Sequence, residues 1–335
     1  MKTAWILAAG ISFAPLANAD YCERPQTDDR YEQEDCLRSG LALVKQNKCY
    51  GFVNRDGVEV IPLQYDDARS FSEGLAAVEQ NGKWGFINQA GKVWIPFQYD
   101  DAHSFSEGLA VVKQKGKWGY INQAGEMLVP PRYDAAYPFA EGLAMVRLNG
   151  KLGYLNQAGK TVIPLQYDHA LLFSDGLARV RKNGRYGYIN QTGKVVIPIQ
   201  YEDSNLIFIE GLLNVKQNGK WGYINRAGQT VVALQYDEAH PFFEGLAAVK
   251  QNGKWGFINA TGKTVIPPQY DAAYPFREGI AHVGQNGKHG FIRPTGEVAI
   301  PIQYDFVSLF VNGKMLVSLN GEDFYIDRQG KRLPD

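Results

Sequence analysis

The chain has 335 residues, and its 35 lysines and arginines balance 35 aspartates and glutamates, so the formal net charge is zero. That balance excludes the basic footprint that neutralises nucleic-acid phosphates, and we expect no nucleic-acid partner. The sequence also lacks a polybasic run of the kind that holds a protein on anionic lipid.

The first 19 residues are typical of a secretory signal peptide. Lys2 precedes a mostly apolar stretch, 4–16, and Ala17-Asn18-Ala19 is a cleavage site of the A-x-A kind. The stretch is too short to span a bilayer. We therefore predict cleavage after residue 19, a periplasmic or secreted protein, and no stable membrane insertion after cleavage.

Residues 20–38 are polar, and we predict that they form an N-terminal cap. The three cysteines, Cys22, Cys36 and Cys49, lie in this segment or just after it. Export brings a chain into an oxidising compartment, so one disulfide is predicted among the three, and the sequence leaves its pairing open. We expect a structural bond that ties the cap to the first repeat, because the sequence has no Cys-x-x-Cys redox pair.

Residues 39–335 repeat one unit of 34 residues about nine times, and we predict that they form a single array. Residues 71–100 show the unit as FSEGLAAVEQNGKWGFINQAGKVWIPFQYD. The spacing departs from 34 once, with a step of 35 between Gly187 and Gly222. A fixed period of this size indicates a repeat architecture, in which neighbouring units bury one another's apolar faces.

Each unit is predicted to contain three short strands, at 75–80, 83–88 and 92–95 in the example. Asn81-Gly82 is a strong hairpin signal between the first two, and Gln-Tyr-Asp leads into a polar bend. In the first strand apolar residues alternate with a variable position, which predicts one buried and one solvated face. Arg179, Asn214 and His282 occupy that variable position, and we expect them to set binding selectivity.

A glycine recurs inside the second strand, as at Gly85. Glycine weakens a strand, so its recurrence predicts that another backbone or ring packs closely against it.

The Lys-Trp-Gly-Phe-Ile-Asn segment at 83–88, with similar segments starting at Lys117, Lys220 and Lys254, resembles those of the bacterial WG-repeat (KWG-repeat) family. The resemblance implies a β-repeat array and, for most members, no catalytic chemistry that could be transferred here. We predict an all-β fold, an open array (β-solenoid or superhelix) of about nine three-stranded repeats. The atypical end units favour the open form. A closed propeller-like ring is the alternative.

The sequence shows no catalytic, metal-binding or cofactor-binding signature, so we expect no enzyme and no cofactor. The five histidines occupy different places in different units and are interpreted as scattered surface residues. Two acids recur in nearly every unit, as at Glu73 and Asp100. Because catalysis requires one unique pair, we expect these acids to accept backbone N–H bonds or to pair with lysines.

A tyrosine recurs in every Gln-Tyr-Asp segment, and we expect this row to fill the core rather than stack on sugars. Trp94 lies outside the repeat pattern, and the one-residue insertion at 201–211 contains Leu206 and Phe208. These three residues are the candidate partner contacts. The leading hypothesis is a scaffold that binds another cell-envelope protein. The alternative is a glycan- or peptidoglycan-binding module that uses exposed aromatics.

Overall fold

The computed structural model describes residues 22–27, 30–311 and 313–334. These residues form strands, turns and bends, and none of them lies in a helix that could cross a membrane. The predicted signal peptide, residues 1–19, lies outside the described residues.

The strands, in chain order, are β1 (Gln33–Glu34), β2 (Ala42–Gln46), β3 (Cys49–Val53), β4 (Glu59–Tyr65), β5 (Asp67–Ala68), β6 (Leu75–Gln80), β7 (Lys83–Asn88), β8 (Val93–Tyr99), β9 (Asp101–Ala102), β10 (Leu109–Gln114), β11 (Lys117–Asn122), β12 (Met127–Tyr133), β13 (Ala135–Ala140), β14 (Leu143–Leu148), β15 (Lys151–Asn156), β16 (Thr161–Tyr167), β17 (His169–Ala170), β18 (Leu177–Lys182), β19 (Arg185–Asn190), β20 (Val195–Tyr201), β21 (Asp203–Ser204), β22 (Leu212–Gln217), β23 (Lys220–Asn225), β24 (Thr230–Tyr236), β25 (Glu238–Ala239), β26 (Leu246–Gln251), β27 (Lys254–Asn259), β28 (Thr264–Tyr270), β29 (Ala272–Ala273), β30 (Ala281–Gln285), β31 (Lys288–Ile292), β32 (Val298–Tyr304), β33 (Phe306–Val307), β34 (Lys314–Leu319) and β35 (Glu322–Asp327).

The described chain divides into two compact units. Unit 1 holds the residues up to Asn149 together with 156–160, and unit 2 holds 150–155 and the residues from Thr161 onward. Unit 1 contains the sheets β1–β4, β5–β8 and β9–β12 and the pair β13–β14. Unit 2 contains the pair β15–β16, the sheets β17–β20, β21–β24, β25–β28 and β29–β32, and the three-stranded sheet β33–β35.

Each complete sheet is an antiparallel meander in which strands adjacent in the chain are hydrogen-bonded neighbours. The prediction of an all-β array of 34-residue repeats is confirmed. The sheet has four strands rather than the predicted three, because a two-residue strand such as β5 forms in the segment that was interpreted as a polar bend. The last strand also continues past Pro96 to Tyr99. A proline is tolerated there because the strand lies at the sheet edge and is bulged.

Two kinds of tight turn set the register of each sheet. Asn81 and Gly82 both have positive φ, 53° and 71°, as the predicted two-residue hairpin requires. Glu73 and Gly74 also have positive φ, 52° and 84°, and Ser72 and Leu75 bridge across them. The second turn was not predicted, since glutamate is not a usual residue for left-handed backbone.

The recurrent glycine of the second long strand lies under a bulge of the last strand. A Cβ added at Gly85 would lie 2.7 Å from the carbonyl oxygen of Ile95. The Cα pairing skips this position, with Trp84 opposite Tyr99 and Phe86 opposite Ile95. The prediction that another backbone packs closely against this glycine is confirmed.

The core fills the space between consecutive sheets. In β6, four successive residues, Leu75 to Val78, are all buried, so both faces of the strand are covered. The Phe86 ring packs 4.9 Å from the Phe105 ring, which lies between β9 and β10 of the next sheet. The prediction of a solvated face on this strand was therefore wrong. A sheet inside an array has a neighbouring sheet on each side. Alternate residues of this strand therefore face the preceding and the following sheet, rather than core and solvent.

Candidate binding surface

In each of the two units, exposed apolar residues recur at the second position of the last strand of a sheet. We call these residues the outer row: Val60, Trp94 and Leu128 in unit 1, and Val162, Val231 and Val265 in unit 2. Trp94 is 56% exposed and the others 38–43%. Val196 and Ala299 occupy the same position and are half-buried. The position is therefore apolar in every sheet that has it, although it faces solvent in most of them.

Trp94, one of the three predicted contacts, is held in place on this row. Its indole Nε1–H donates to the carbonyl oxygen of Gln123, 2.8 Å away, in the turn between the last two strands of the next sheet. That turn also rests on the strand that carries the indole, since a Cβ at Gly125 would lie 3.3 Å from Cγ1 of Ile95. The exposed ring thus lies on a fixed platform rather than on a free loop.

The structure separates the other two predicted contacts. Leu206 is 56% exposed at the surface of the insertion. Phe208 is half-buried, with its ring 5.9 Å from the Tyr188 ring and beneath the Arg226 guanidinium. Its counterpart Phe242 in the following sheet is fully buried. The insertion therefore leaves Phe208 mainly in the core and puts Leu206 on the surface.

Two of the residues expected to set selectivity are buried between sheets. Arg179 is 7% exposed, and its guanidinium donates to Ser204 Oγ at 2.8 Å and lies 3.7 Å from the Tyr186 ring centroid. The side-chain amide of Asn214 donates to Ala239 O at 3.0 Å. Both side chains face the next sheet, so the prediction that they contact a partner was wrong. The cause is the covering of both faces of the strand.

The prediction of scattered surface histidines was also wrong for most of them. His103 and His240 are half-buried, and their rings lie 5.3 Å from Trp118 and 4.9 Å from Trp255 respectively. Burial lowers the pKa of both imidazoles. His169 is exposed.

His282 and His289 come together in the sheet β29–β32. Nε2 of His282 lies 3.0 Å from Nδ1 of His289, and the two rings share a hydrogen bond. The Tyr274 ring stacks on His282 at 4.8 Å with an interplanar angle of 2°. Burial, followed by the neighbouring His289, lowers the pKa of His282 to about 4. The sequence contained this signal, because the Asn286-Gly287 turn places residues 282 and 289 diagonally on one face of a hairpin.

The recurrent acids link consecutive sheets. Asp134 accepts hydrogen bonds from Lys117 Nζ at 2.6 Å and from the backbone N–H of Asn149 at 2.8 Å, and the lysine bond is the main cause that lowers its pKa. Glu107 accepts a bond from the backbone N–H of Gly142 at 2.9 Å. The prediction that these acids accept backbone N–H bonds and pair with lysines is confirmed.

The recurrent tyrosines are core residues, as predicted, with exposed fractions of 2–4%. They are Tyr65, Tyr99, Tyr133, Tyr167, Tyr201, Tyr236, Tyr270 and Tyr304. Burial raises the pKa of Tyr99 and Tyr167, among others. This row therefore presents no ring to a sugar.

The cap is closed by a disulfide between Cys22 and Cys36, and Cys49 is free. The bond lies within the cap, so it does not itself reach the first repeat as expected. The cap joins the first sheet instead through β1, where Gln33 pairs with Lys45, and through the backbone N–H of Gln26, which donates to Arg55 O.

A family model described as WG containing repeat matches the chain at residues 50–84, 84–118, 118–151, 153–186, 186–221, 221–255, 255–288 and 290–322. A search of curated proteins found no match.

Several solved structures resemble the chain at low sequence identity. A structure described as the eukaryotic initiation factor is 11% identical, with 87% of this chain and 94% of that chain covered and a TM-score of 0.41. PorZ, a surface component of the type-IX secretion system of Porphyromonas gingivalis, is 10% identical, with 91% and 51% covered and a TM-score of 0.32. Kluyveromyces lactis Hsv2 is 10% identical, with 73% and 89% covered and a TM-score of 0.35. Likenesses this distant say nothing about function.

Proposed function

The chain belongs to the WG-repeat family, and from that premise we propose that it is an exported, non-enzymatic scaffold that binds another cell-envelope protein. The observation that carries the proposal is the outer row. Its position stays apolar from sheet to sheet although nothing buries it in most of them, and exposed apolar positions in series are typical of protein interaction surfaces.

Two features support an exported, bacterial, periplasmic or secreted location. The Cys22–Cys36 bond is of a kind that persists in oxidising compartments. The first 19 residues read as a cleaved signal peptide.

The binding mode we propose is apolar contact centred on Trp94. Tryptophan is enriched among the residues that dominate protein interfaces. Its ring is exposed, and its hydrogen bond to Gln123 O fixes the ring before any partner arrives, so little side-chain entropy is lost on binding. Val60 and Leu128 occupy the same position in the sheets on either side.

The test is recovery of envelope proteins from an extract on immobilised residues 20–335, read by mass spectrometry, with each recovered protein then purified and titrated. Trp94→Glu and Leu128→Glu place a charge on the outer row without touching the core. The matched control is Tyr137→Ser, which changes an exposed aromatic of unit 1 outside the row.

We expect saturable binding of a specific protein that both glutamate variants weaken by about tenfold or more, the effect of losing 1.4 kcal/mol at a central contact. Tyr137→Ser should bind as the wild type does. Equal binding by all variants would contradict the role of the outer row.

The glycan alternative is tested in parallel by sedimentation with purified peptidoglycan. Burial of the tyrosine row removes the largest aromatic surface on which that alternative depended. Co-sedimentation that Trp94→Glu abolishes, without a protein partner, would replace the scaffold proposal.

A further inference from the structure

The sheet β29–β32 departs from the other sheets at three positions that lie together. The other sheets carry an aromatic ring, or Leu152, where this sheet has His289, apart from Asp323 in the last one. His282 replaces residues such as Ala77 or Ala248, and Tyr274, which stacks on it, stands at a position that is also tyrosine at Tyr137. The third change is Gly284. Six other sheets hold a cation at its position: Lys45, Lys113, Arg147, Arg181, Lys216 and Lys250.

The cation at that position normally lies over the ring of the paired strand. Lys113 Nζ is 5.4 Å from the Trp118 ring centroid, and Lys250 Nζ is 5.7 Å from the Trp255 ring centroid. Gly284 pairs with His289 in the same register, and an added Cβ there would lie 3.4 Å from His289 Nδ1. The sheet has therefore lost a positive charge at the place where it gained two imidazoles.

We propose that His282 and His289 bind a divalent late first-row transition-metal ion, copper(II) in the first instance. Neutral imidazole nitrogens are preferred ligands of such ions, and removal of the neighbouring cation favours a positive guest. The donors are Nε2 of His282 and Nδ1 of His289, which share a hydrogen bond that the ion would replace.

The separation of the donors indicates which ions fit. The present separation of 3.0 Å is that of a hydrogen bond, so the two imidazoles must turn their lone pairs from each other toward the ion. If the nitrogens keep that separation, metal–nitrogen bonds of about 2.0–2.1 Å would give an angle of roughly 95° at the ion. That angle is the cis angle of tetragonal sites, which copper(II) and nickel(II) prefer, and it is smaller than the tetrahedral angle of zinc. The proton of the donor imidazole moves to its other ring nitrogen, so binding to the neutral pair releases no net proton.

The surroundings of the pair are compatible with an ion. Stacking on Tyr274 fixes the plane of the His282 ring, and the adjacent Lys288 is paired with Asp305. Both histidines are half-buried rather than enclosed, so an ion can reach them. The described residues bring no third histidine, cysteine, aspartate or glutamate to the pair, and water would complete the coordination. This proposal replaces the expectation from the sequence that no metal site exists.

The test is titration of untagged residues 20–335 with copper(II), followed by calorimetry and by electron paramagnetic resonance. We expect one equivalent with hyperfine coupling to two nitrogens. His282→Gln and His289→Gln should each weaken binding by more than about tenfold, at least the effect usual for loss of a supporting residue around a metal. The matched control is His240→Gln, which removes a half-buried histidine that stacks on tryptophan.

A further variant, Gly284→Lys, keeps both imidazoles and restores the lysine that other sheets accommodate. It should fold as the wild type does and bind copper more weakly. Unchanged affinity in either histidine variant or in Gly284→Lys, or an equal loss in His240→Gln, would overturn the proposal.

Discussion

The recurrent glycine of the second long strand should be the least replaceable residue of each repeat, and Gly119 provides the sharpest test. An added Cβ would lie 2.4 Å from the carbonyl oxygen of Val129 and 2.8 Å from the nitrogen of Pro131. Its φ is outside the left-handed region, so alanine is conformationally allowed and the clash alone decides the outcome. The loss of stability caused by Gly119→Ala therefore reports how closely β12 packs on β11.

The expected cost follows from the distance. Real Cβ atoms essentially never approach another heavy atom within 3.0 Å, so the backbone of β12 must move by at least the missing 0.6 Å. Overpacking costs about 1–3 kcal/mol, and the upper part of that range applies because the obstacle is backbone. Replacing glycine by alanine also stabilises the fold by about 0.4–1 kcal/mol, because the unfolded chain has less conformational entropy to lose. We expect a net loss of about 2 kcal/mol.

The measurement is urea denaturation combined with hydrogen exchange of the amides of β11 and β12, since a repeat array can open locally. Gly284→Ala is the matched control. This glycine also lies in a strand, but its added Cβ would be 3.3 Å from the Ala272 Cβ and 3.4 Å from His289 Nδ1, so the misfit is a few tenths of an ångström and involves no backbone atom. We expect that control to be close to neutral. If Gly119→Ala and Gly284→Ala had the same stability and exchange, the close-approach argument would be refuted.

Three further predictions concern a hydrogen bond between sheets, the disulfide and a half-buried histidine. Glu107→Ala should lower the free energy of unfolding by about 1 kcal/mol, because the Gly142 amide loses its acceptor. Hydrogen exchange of that amide should become faster, while the amides of β2 keep their protection. Replacing Cys22 and Cys36 by serine should destabilise the cap by about 3 kcal/mol, because the disulfide closes a loop of 14 residues. Proteolysis of the cap should increase as well. Cys49→Ser should change neither the stability nor the proteolysis of the cap. Burial lowers the pKa of His240 below 6.5, so the folded chain should lose stability as the pH falls from about 6.5 through the folded-state pKa. Denaturation measured at several pH values should show a smaller loss for His240→Phe. An unchanged loss in that variant would contradict the assignment to His240.

The sequence was enough to predict whatever depends on local backbone rules. The Asn81-Gly82 turn follows from one repeat read by itself, because glycine conformation is a local constraint. The close approach at Gly85 and the burial of Tyr99 follow once the same residue is seen to recur in each repeat. The short strand β5 was missed because two residues leave no periodicity to detect.

Features that depend on stacking of the sheets could not be predicted in this way. Alternation in β6 indicates two different faces, but only the packing of the next sheet reveals that both are buried. For that reason the alternation predicts a solvated Arg179, although the side chain lies under the next sheet against Ser204. The pair His282 and His289 matches no metal motif along the chain, because the two residues are neighbours only across the hairpin register that Asn286-Gly287 sets.

Because both faces of each inner sheet are buried, fewer surfaces remain on which a partner can bind. Most residues in the first half of the first long strand, such as Ala76, Ala77 and Val78, are covered by neighbouring sheets, and the recurrent acids accept hydrogen bonds from turns and lysines. Neither set therefore offers a free surface to a protein partner. The outer row is different. High β-propensity would explain valine at an edge strand, as at Val60 or Val162, but it does not explain Leu128, or a tryptophan held by a hydrogen bond with more than half of its surface exposed. An edge position kept apolar without burial is also a liability for aggregation. Its persistence through the array is accounted for if a partner covers it, which is why Trp94→Glu is the informative substitution.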